Sequence, residues 1–297
     1  MATAPAPTPI RAPTQWLPKL VLAPSFALSM LFIYGFMLWN GYLSLSASRL
    51  LPNYAFVGFE QYGRLFESDR FRVAITNMGI FGALFIGGAM LLGILLAILL
   101  DQKIRLEGAL RTIYLYPMAI SFIVTGTAWK WLLNPGLGLQ HLMRQWGFES
   151  FTFEWLVDPN MAIYCIVIAG VWQSAGFVMA LFLAGLRGID DSIVKAAQID
   201  GASLPRIYWR ILIPSLRPVF FSTLMVVSHL AIKSFDLVMA LTAGGPGFAT
   251  DLPATFMYAM AFSRGQIGLG AASATVMLAL VAAIVVPYLY SELRVKK

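Results

Sequence analysis

The chain has 297 residues, of which 59% are hydrophobic and 12% are charged, and its formal net charge is +7. Soluble domains carry about 25% charged residues, so this composition excludes an ordinary soluble protein and indicates a membrane protein. The basic residues are spread over short segments, so the positive charge does not indicate nucleic-acid binding.

The first residues differ in composition from the rest of the chain. Residues 1–19 are rich in Pro, Ala and Thr, a composition that predicts a disordered tail. The apolar run that follows is too long for the hydrophobic region of a cleaved signal peptide. We therefore interpret residues 1–19 as a tail and residues 20–72 as a first transmembrane helix with its outer loop.

Long windows without charge define the membrane segments. Residues 20–48, 73–100, 112–129, 159–186 and 265–291 contain no Asp, Glu, Lys or Arg, and the apolar run 218–243 is interrupted only by Lys233 and Asp236. Each is about as long as the ~20 residues that a helix needs to cross a bilayer, and the short alternating strands of a membrane barrel are missing. The sequence therefore predicts an all-α membrane protein with six transmembrane helices.

The basic residues between these segments predict the orientation. With the N-terminus inside, the inner segments hold thirteen Lys and Arg residues and the outer segments hold seven. Because positive residues accumulate on the cytoplasmic side, we expect both termini to be inside. Residues 292–297 are then a second cytoplasmic tail, and the charged segment 188–217 lies on the cytoplasmic side.

Within the second predicted helix, small residues recur four apart. Ala83 with Gly87 and Ala89 with Gly93 are spacings that allow two membrane helices to approach closely, although glycine is also simply common in membrane helices. The third helix is expected to end before Pro135.

The sequence contains no recognisable motif for hydrolysing ATP or breaking a bond. None of the seven lysines follows a glycine, so the chain has no phosphate-binding loop of the G-x-x-x-x-G-K type. Cys165 is the only cysteine, and two histidines far apart in sequence make a weak metal site. We therefore expect no enzymatic activity, and any work must draw on an ion gradient or on another subunit.

Segment 188–217 predicts a helix, a glycine turn and a second helix. Asp190 and Asp191 suit a helix start, Gly201 suits a turn with positive φ, and Pro205 suits the first turn of the next helix. We expect one apolar side, formed by Ile193, Ala196, Ala197 and Ile199, and a second helix with Ile207 and Ile211 on one face and Arg206 and Arg210 on another. Physical reasoning alone leaves two interpretations open: a lipid-contacting surface loop, or a docking element for a cytoplasmic partner.

The spacing within this segment resembles a known motif. Lys195-Ala196-Ala197, three residues, Gly201, nine residues and Ile211-Leu212-Ile213-Pro214 resemble E-A-A-x3-G-x9-I-x-L-P, the EAA motif of permease subunits of binding-protein-dependent ABC importers. Lys195 stands where the family has Glu, and Ile213 where it has Leu. The resemblance assigns ATPase coupling to this group: Lys195, Ala196, Ala197, Asp200, Gly201, Ala202, Arg206, Ile211 and Pro214.

Three further stretches resemble the carbohydrate-type permeases of this family: "FVGFEQYGRLF", "YLYPMAISFIVTGTAWKWLLNPGLGLQH" and "LTAGGPGFATDLPATFMYAMAF". The resemblance implies a type I transmembrane domain over residues 73–291, in a bacterial inner membrane. It also implies a second homologous permease, two ATP-binding subunits and an extracytoplasmic sugar-binding protein that contacts Gly244, Gly245, Pro246 and Gly247. ATP and Mg²⁺ would be bound by the partner subunits, with no cofactor on this chain.

Lys233 and Asp236 are the charged residues of the fifth predicted helix. Three residues apart on a helix, they would share one face. Charges inside a membrane are costly and usually functional, so we interpret them as lining a sugar pathway, with Trp172, Gln173 and His229 as weaker candidates. Two alternatives remain: an ion pair or interfacial lysine that serves structure alone, and a proton-coupled secondary sugar transporter.

Overall fold

The computed structural model describes residues 16–51, 53–102 and 104–295, and within these ranges the chain is helical without any strand. Ser46 and Phe56 form an isolated antiparallel bridge in the first outer loop. Residues 1–15 and 296–297, which belong to the two predicted tails, lie outside the described residues.

The helices follow one another as α1 (Trp16–Ser44), α2 (Glu60–Glu67), α3 (Asp69–Asp101), α4 (Glu107–Ala119), α5 (Phe122–Leu132), α6 (Leu139–Gln145), α7 (Ala162–Arg187), α8 (Asp191–Ile199), α9 (Leu204–Ile207), α10 (Ile213–Ser215), α11 (Arg217–Ile232), α12 (Asp236–Leu241), α13 (Pro253–Tyr258) and α14 (Ile267–Val295). Two π-helical stretches, Tyr208–Leu212 and Ala259–Ser263, continue α9 and α13.

The described ranges contain four helices, α1, α3, α7 and α14, that are each long and apolar enough to cross a bilayer. Two bent pairs, α4 with α5 and Leu204–Ser215 with α11, pass the same test together, so the count is between four and six. The all-helical membrane class is confirmed, and six spans require that each bent pair crosses once.

The prediction that the third apolar run is one continuous helix was wrong. The chain breaks at Ile120 and Ser121, and α4 and α5 meet at 100°. Pro117 weakens the end of α4 because its ring removes a backbone donor. Ser121 starts α5 by accepting a hydrogen bond from the Val124 amide, and Gln173 Nε2 donates to the Ile120 carbonyl at 2.7 Å. The polar groups freed by the break are thus partly satisfied.

The fifth helix is also interrupted, and the prediction that Lys233 and Asp236 share one helical face was wrong. Helix α11 ends at Ile232, Lys233 is its C-cap, and Asp236 is the first residue of α12. Lys233 and Asp236 are both exposed at the surface of cavities. Charged side chains are costly among packed apolar groups, so this interruption is favoured over a continuous helix that would bury them. Because of the break, Lys233 and Asp236 lie at the ends of two different helices.

The core lies between α3 and α7, which pack along their lengths. Ala89 is fully buried, and a Cβ on Gly93 would lie 2.5 Å from the Val178 Cβ, so this small-residue pair does permit close packing. Ala83 and Gly87 instead lie on the exposed side of α3. Helix α1 packs against α14, where Asn40 Nδ2 donates to the Ala271 carbonyl and to Thr275 Oγ1.

Candidate functional site

The interruption between α11 and α12 borders two cavities. One, of about 400 Å³, is lined by His229, Lys233 and Asp236 together with apolar residues of α13 and α14. The other, of about 100 Å³, is lined by Lys233, Asp236 and Ser234 beside aromatic residues of α3 and α5. The structure therefore brings three of the five predicted pathway residues together, although not through a shared helical face.

Neither Lys233 nor Asp236 forms an ion pair within the described ranges, which does not favour the interpretation as a structural salt bridge. Their hydrogen-bonding groups face the cavities without a protein partner of opposite charge. Such groups are suited to bind a polar ligand, because a charged donor or acceptor forms stronger hydrogen bonds than a neutral one.

The other two predicted pathway residues lie elsewhere. Gln173 is buried and serves the α4–α5 break through Ile120, while its Oε1 has no hydrogen-bond partner among the described residues. Trp172 is partly exposed and contacts Trp129 edge-on, with ring centroids 5.8 Å apart. Neither residue lines the two cavities at the α11–α12 interruption.

An aromatic row next to this site was missed in the sequence. Phe235 packs against Tyr258 with ring centroids 5.0 Å apart, and Tyr258 packs against Phe262 at 5.3 Å. Tyr258 and Phe262 are four residues apart, and that spacing in "MYAMAF" was the available signal. The stretch lies between the fifth and sixth predicted membrane segments, where no helix is predicted, whereas it is helical from Pro253 to Ser263.

The start and turn of the charged inner segment have the geometry that the sequence predicts. Asp190 caps α8 by accepting from the Ser192 amide at 2.8 Å, and the hydrogen bonds from Ser192 lower the pKa of the Asp190 carboxyl. At the other end, Ala202 N donates to the Ala197 carbonyl and Gly201 N to the Gln198 carbonyl, each at 3.0 Å. This is a Schellman turn, with Gly201 at φ +78°.

The side that α8 buries differs from the prediction. Only Ala197 of the expected apolar side is buried, whereas Ile193, Ala196 and Ile199 are exposed, Ile199 by 87%. Val194 makes the second contact with the core, because it is three residues before Ala197 on the same face. Lys195 is also exposed, and no ion pair involves it among the described residues.

The second half of the segment contains a π-helical stretch that shifts its register. Ile207 and Ile211 are predicted to share one face, but the buried residues are Ile207 and Leu212, because a π-helix brings residues five apart into line. Arg206 and Pro214 are exposed, and the chain bends by 68° at Leu216 before α11 begins.

Hydrogen bonds connect the same segment to the end of α3. The Tyr208 hydroxyl donates to Asp101 Oδ2 and accepts from Gln102 Nε2, the latter at 2.6 Å. Both partners are at the C-terminal end of α3, so the segment is anchored to a second membrane helix besides α11.

Side chains of α3 hold the loop that is predicted to contact the binding protein. Gly244 and Gly247 have φ values of +86° and +62°, and a Cβ on Gly244 would lie 2.5 Å from Asp251 Oδ1. Asp251 is buried and pairs with Arg70, while Asn77 Nδ2 donates to the Ala249 and Asp251 carbonyls at 2.9 and 3.0 Å. Gly244 is therefore buried, whereas Gly245 and Pro246 are half-buried and Gly247 is exposed.

Within the described residues, no group of three or more His, Cys, Asp or Glu side chains could hold a metal ion. The described part of the chain thus offers binding surfaces and packed helices rather than a metal centre.

Comparison with known proteins gives concordant matches. Residues 89–295 match the family model described as binding-protein-dependent transport system inner membrane component. A probable ABC transporter permease protein of Pyrococcus horikoshii is 41% identical over 91% of this chain and 94% of its own length. The xylose/arabinose import permease protein XacH of Haloferax volcanii is 35% identical over 90% and 85%, respectively.

Among solved structures, the chain resembles one of a bacterial alginate ABC transporter in complex with alginate pentasaccharide-bound periplasmic protein. The TM-score is 0.82, the identity is 22%, and the match covers 96% of each chain, which establishes the same fold. The family model and the relatives each match most of the chain, and the fold agrees with them. The chain therefore belongs to the family of binding-protein-dependent transport system inner membrane components, the permease subunits of ABC transporters.

Proposed function

We propose that this chain is half of the translocation pathway of an ATP-driven sugar importer. A second homologous permease supplies the other half, two ATP-binding subunits drive the cycle, and an extracytoplasmic binding protein delivers the sugar. Family membership supports the permease role, and the name of the Haloferax relative supports a sugar as substrate.

The observation that carries this proposal is the exposed helix–turn–helix Asp191–Ser215. Its Schellman turn leaves Ile199 at the surface, and Trp209 is 73% exposed farther along the segment. An exposed short helix with apolar side chains supports docking of the helix-in-groove kind. Because the sequence lacks a phosphate-binding loop, ATP and Mg²⁺ belong to the partner subunits that this element contacts.

The orientation follows from the same assignment. ATP-binding subunits are cytoplasmic, so segment 188–217 lies inside, and the bent pairs each cross the bacterial inner membrane once. Both tails are then cytoplasmic, as the distribution of Lys and Arg predicts.

The cavities at the α11–α12 interruption are the proposed sugar contact. His229, Lys233 and Asp236 supply hydrogen-bonding groups, and Phe235 and Tyr258 supply flat apolar surfaces for a sugar ring. On the outer side, the exposed part of the Gly244–Gly247 loop contacts the binding protein. The Arg70–Asp251 pair and Asn77 keep this loop in one shape before the partner arrives.

The decisive experiment is purification of the chain from its native membrane, followed by reconstitution with the subunits that co-purify. We expect an ATPase subunit in the complex and sugar uptake that requires ATP. Uptake that survives removal of the ATPase subunit would overturn the proposal.

The competing function is an ion-coupled secondary sugar transporter that uses Lys233 and Asp236. It predicts uptake that a protonophore abolishes and that ATP does not affect. The family match gives this alternative no support.

A further inference from the structure

A separate cavity lies at the coupling end of the membrane helices. It has a volume of about 290 Å³ and lies between the last turns of α3 and α7 and the first turns of α11. Ile94 and Ile98 line it from α3, Phe182 and Leu186 from α7, and Phe220 from α11. The α11–α12 interruption contributes no residue to it, so it is distinct from the proposed sugar contact.

Measured from the helix ends, this cavity lies at the level of the part of the acyl chains that is nearest the headgroups. Ile98 and Ile94 precede Asp101, the last residue of α3, by three and seven residues, which places them about 4 and 10 Å from the helix end at 1.5 Å per residue. Leu186 is next to Arg187, the last residue of α7. The charged helix ends thus mark the headgroup level, and the cavity extends from there toward the membrane interior.

Arg217 is the one charged residue that lines the cavity. It is the first residue of α11, directly after the 68° bend at Leu216, and its side chain is exposed. No acidic residue lines the cavity, and Arg217 forms no ion pair within the described residues. A guanidinium without a protein carboxylate at the headgroup level pairs with a phosphate, and it favours a headgroup of net negative charge over a zwitterionic one, whose own cation repels it.

We propose that this cavity binds one acyl chain of an anionic phospholipid, whose phosphate pairs with Arg217. Apolar walls suit a hydrocarbon chain, and basic pockets between membrane helices on the cytoplasmic side are suited to acidic headgroups. Because Pro214 and Leu216 also line the cavity, the lipid would lie against the joint between the coupling segment and α11. The inference rests on the proposed orientation, in which this end faces the inner leaflet.

The test uses the full-length chain with its co-purifying subunits in nanodiscs. The probe is phosphatidylglycerol that carries a photoreactive diazirine on one acyl chain, compared with the matching phosphatidylcholine. After illumination, peptides are mapped by mass spectrometry. We expect labelling at residues 94–98, 182–186 and 213–220. The labelling should be about fivefold stronger for phosphatidylglycerol, because one cation close to an anionic headgroup raises the affinity about fivefold.

Three variants separate the parts of the proposal. Arg217→Gln should reduce labelling by phosphatidylglycerol to the level of phosphatidylcholine, and Arg217→Lys should largely preserve the preference. Ile98→Trp should fill the cavity and remove labelling by both lipids. Arg210→Gln is the matched control, because it removes an exposed charge from the same segment without lining the cavity.

Equal labelling by the two lipids, or labelling that neither Arg217→Gln nor Ile98→Trp reduces, would overturn the proposal. So would the absence of labelling of these peptides by either lipid. The same purified complex is also reconstituted into liposomes and ATP-driven uptake is measured there, so that a failure of the lipid site is distinguishable from a failure of the proposed transport function.

Discussion

Gly201 determines the shape of the turn between α8 and α9. Its φ of +78° lies in the left-handed region, while a Cβ at this position would meet no atom within 4 Å. The requirement for glycine is therefore conformational and not steric. Left-handed backbone costs an ordinary L-residue about 1–2 kcal/mol, and more for a β-branched one.

Gly201→Val should therefore impair ATPase coupling more than sugar recognition. Because the strain lies in the turn alone, we expect ATPase stimulation to fall severalfold, while the concentration of sugar that gives half-maximal uptake changes little. Gly201→Asn is the matched control, since asparagine tolerates positive φ. Normal stimulation in the Val variant would contradict the assignment of this turn to coupling.

Asp236 allows a test of the sugar contact at the residue scale. Asp236→Asn keeps the shape of the side chain but removes the charge that strengthens a hydrogen bond to a sugar hydroxyl. Hydrogen bonds to charged groups contribute about 1.5–3 kcal/mol and neutral ones about 1 kcal/mol, so we expect KM for uptake to rise about fivefold or more while ATPase activity and assembly are retained. Glu149→Gln, an exposed acid outside the cavities, is the control. An unchanged KM would remove Asp236 from the pathway.

At the scale of elements, the hydrogen bonds of Tyr208 join segment 188–217 to α3. Tyr208→Phe keeps the ring in the core but loses the bonds to Asp101 and Gln102. We expect the complex to assemble and to hydrolyse ATP, but to import less sugar per ATP consumed. The ratio of uptake to hydrolysis measures this loss.

Tyr116→Phe, at an exposed tyrosine of α4, is the control for that substitution. A normal ratio in Tyr208→Phe would mean that α11 alone carries the movement.

The contact between α3 and α7 can be tested within one helix. Gly93→Ala places a methyl group 2.5 Å from the Val178 Cβ, whereas Gly87→Ala meets nothing within 4 Å. Overpacking costs about 1–3 kcal/mol, so we expect a lower thermal unfolding temperature for Gly93→Ala alone. Equal unfolding temperatures would show that the two helices separate without cost.

Local signals and tertiary packing account for what the sequence could and could not predict about these elements. The turn at Gly201 was predictable because Asp-Gly next to a capped helix is a local signal. The interruption at Lys233 was not, because neither glycine nor proline lies at residues 232–236. The interruption lies against cavities that are lined by α3, α5, α13 and α14. Residues from such distant parts of the chain leave no pattern in a local window of sequence.

At the scale of the whole molecule, the orientation in the membrane can be tested with single cysteines. Cys165 is the only cysteine and is buried, so a Cys165→Ala background should be inert to maleimides. In intact cells, an impermeant maleimide should label Leu137→Cys, which is exposed in the predicted outer segment. Leu106→Cys, which is exposed in the inner loop before α4 and lies outside segment 188–217, should be labelled only after the membrane is permeabilised. The reverse pattern would contradict cytoplasmic termini.

The two interrupted segments meet beyond their breaks. Helix α5, after Ile120–Ser121, packs against α12, after Lys233–Phe235, and a Cβ on Gly126 would lie 2.6 Å from the Ala240 Cβ. Mechanically, α5 and α12 form one block that two short non-helical joints connect to α4 and α11. Leu237 and Leu241 of α12 are buried in the same core as α3 and α7, so this block is also bound to that core. A change at one break is therefore expected to reach the other through α5 and α12, which makes Ile120–Ser121 and Lys233–Asp236 parts of one mechanical unit.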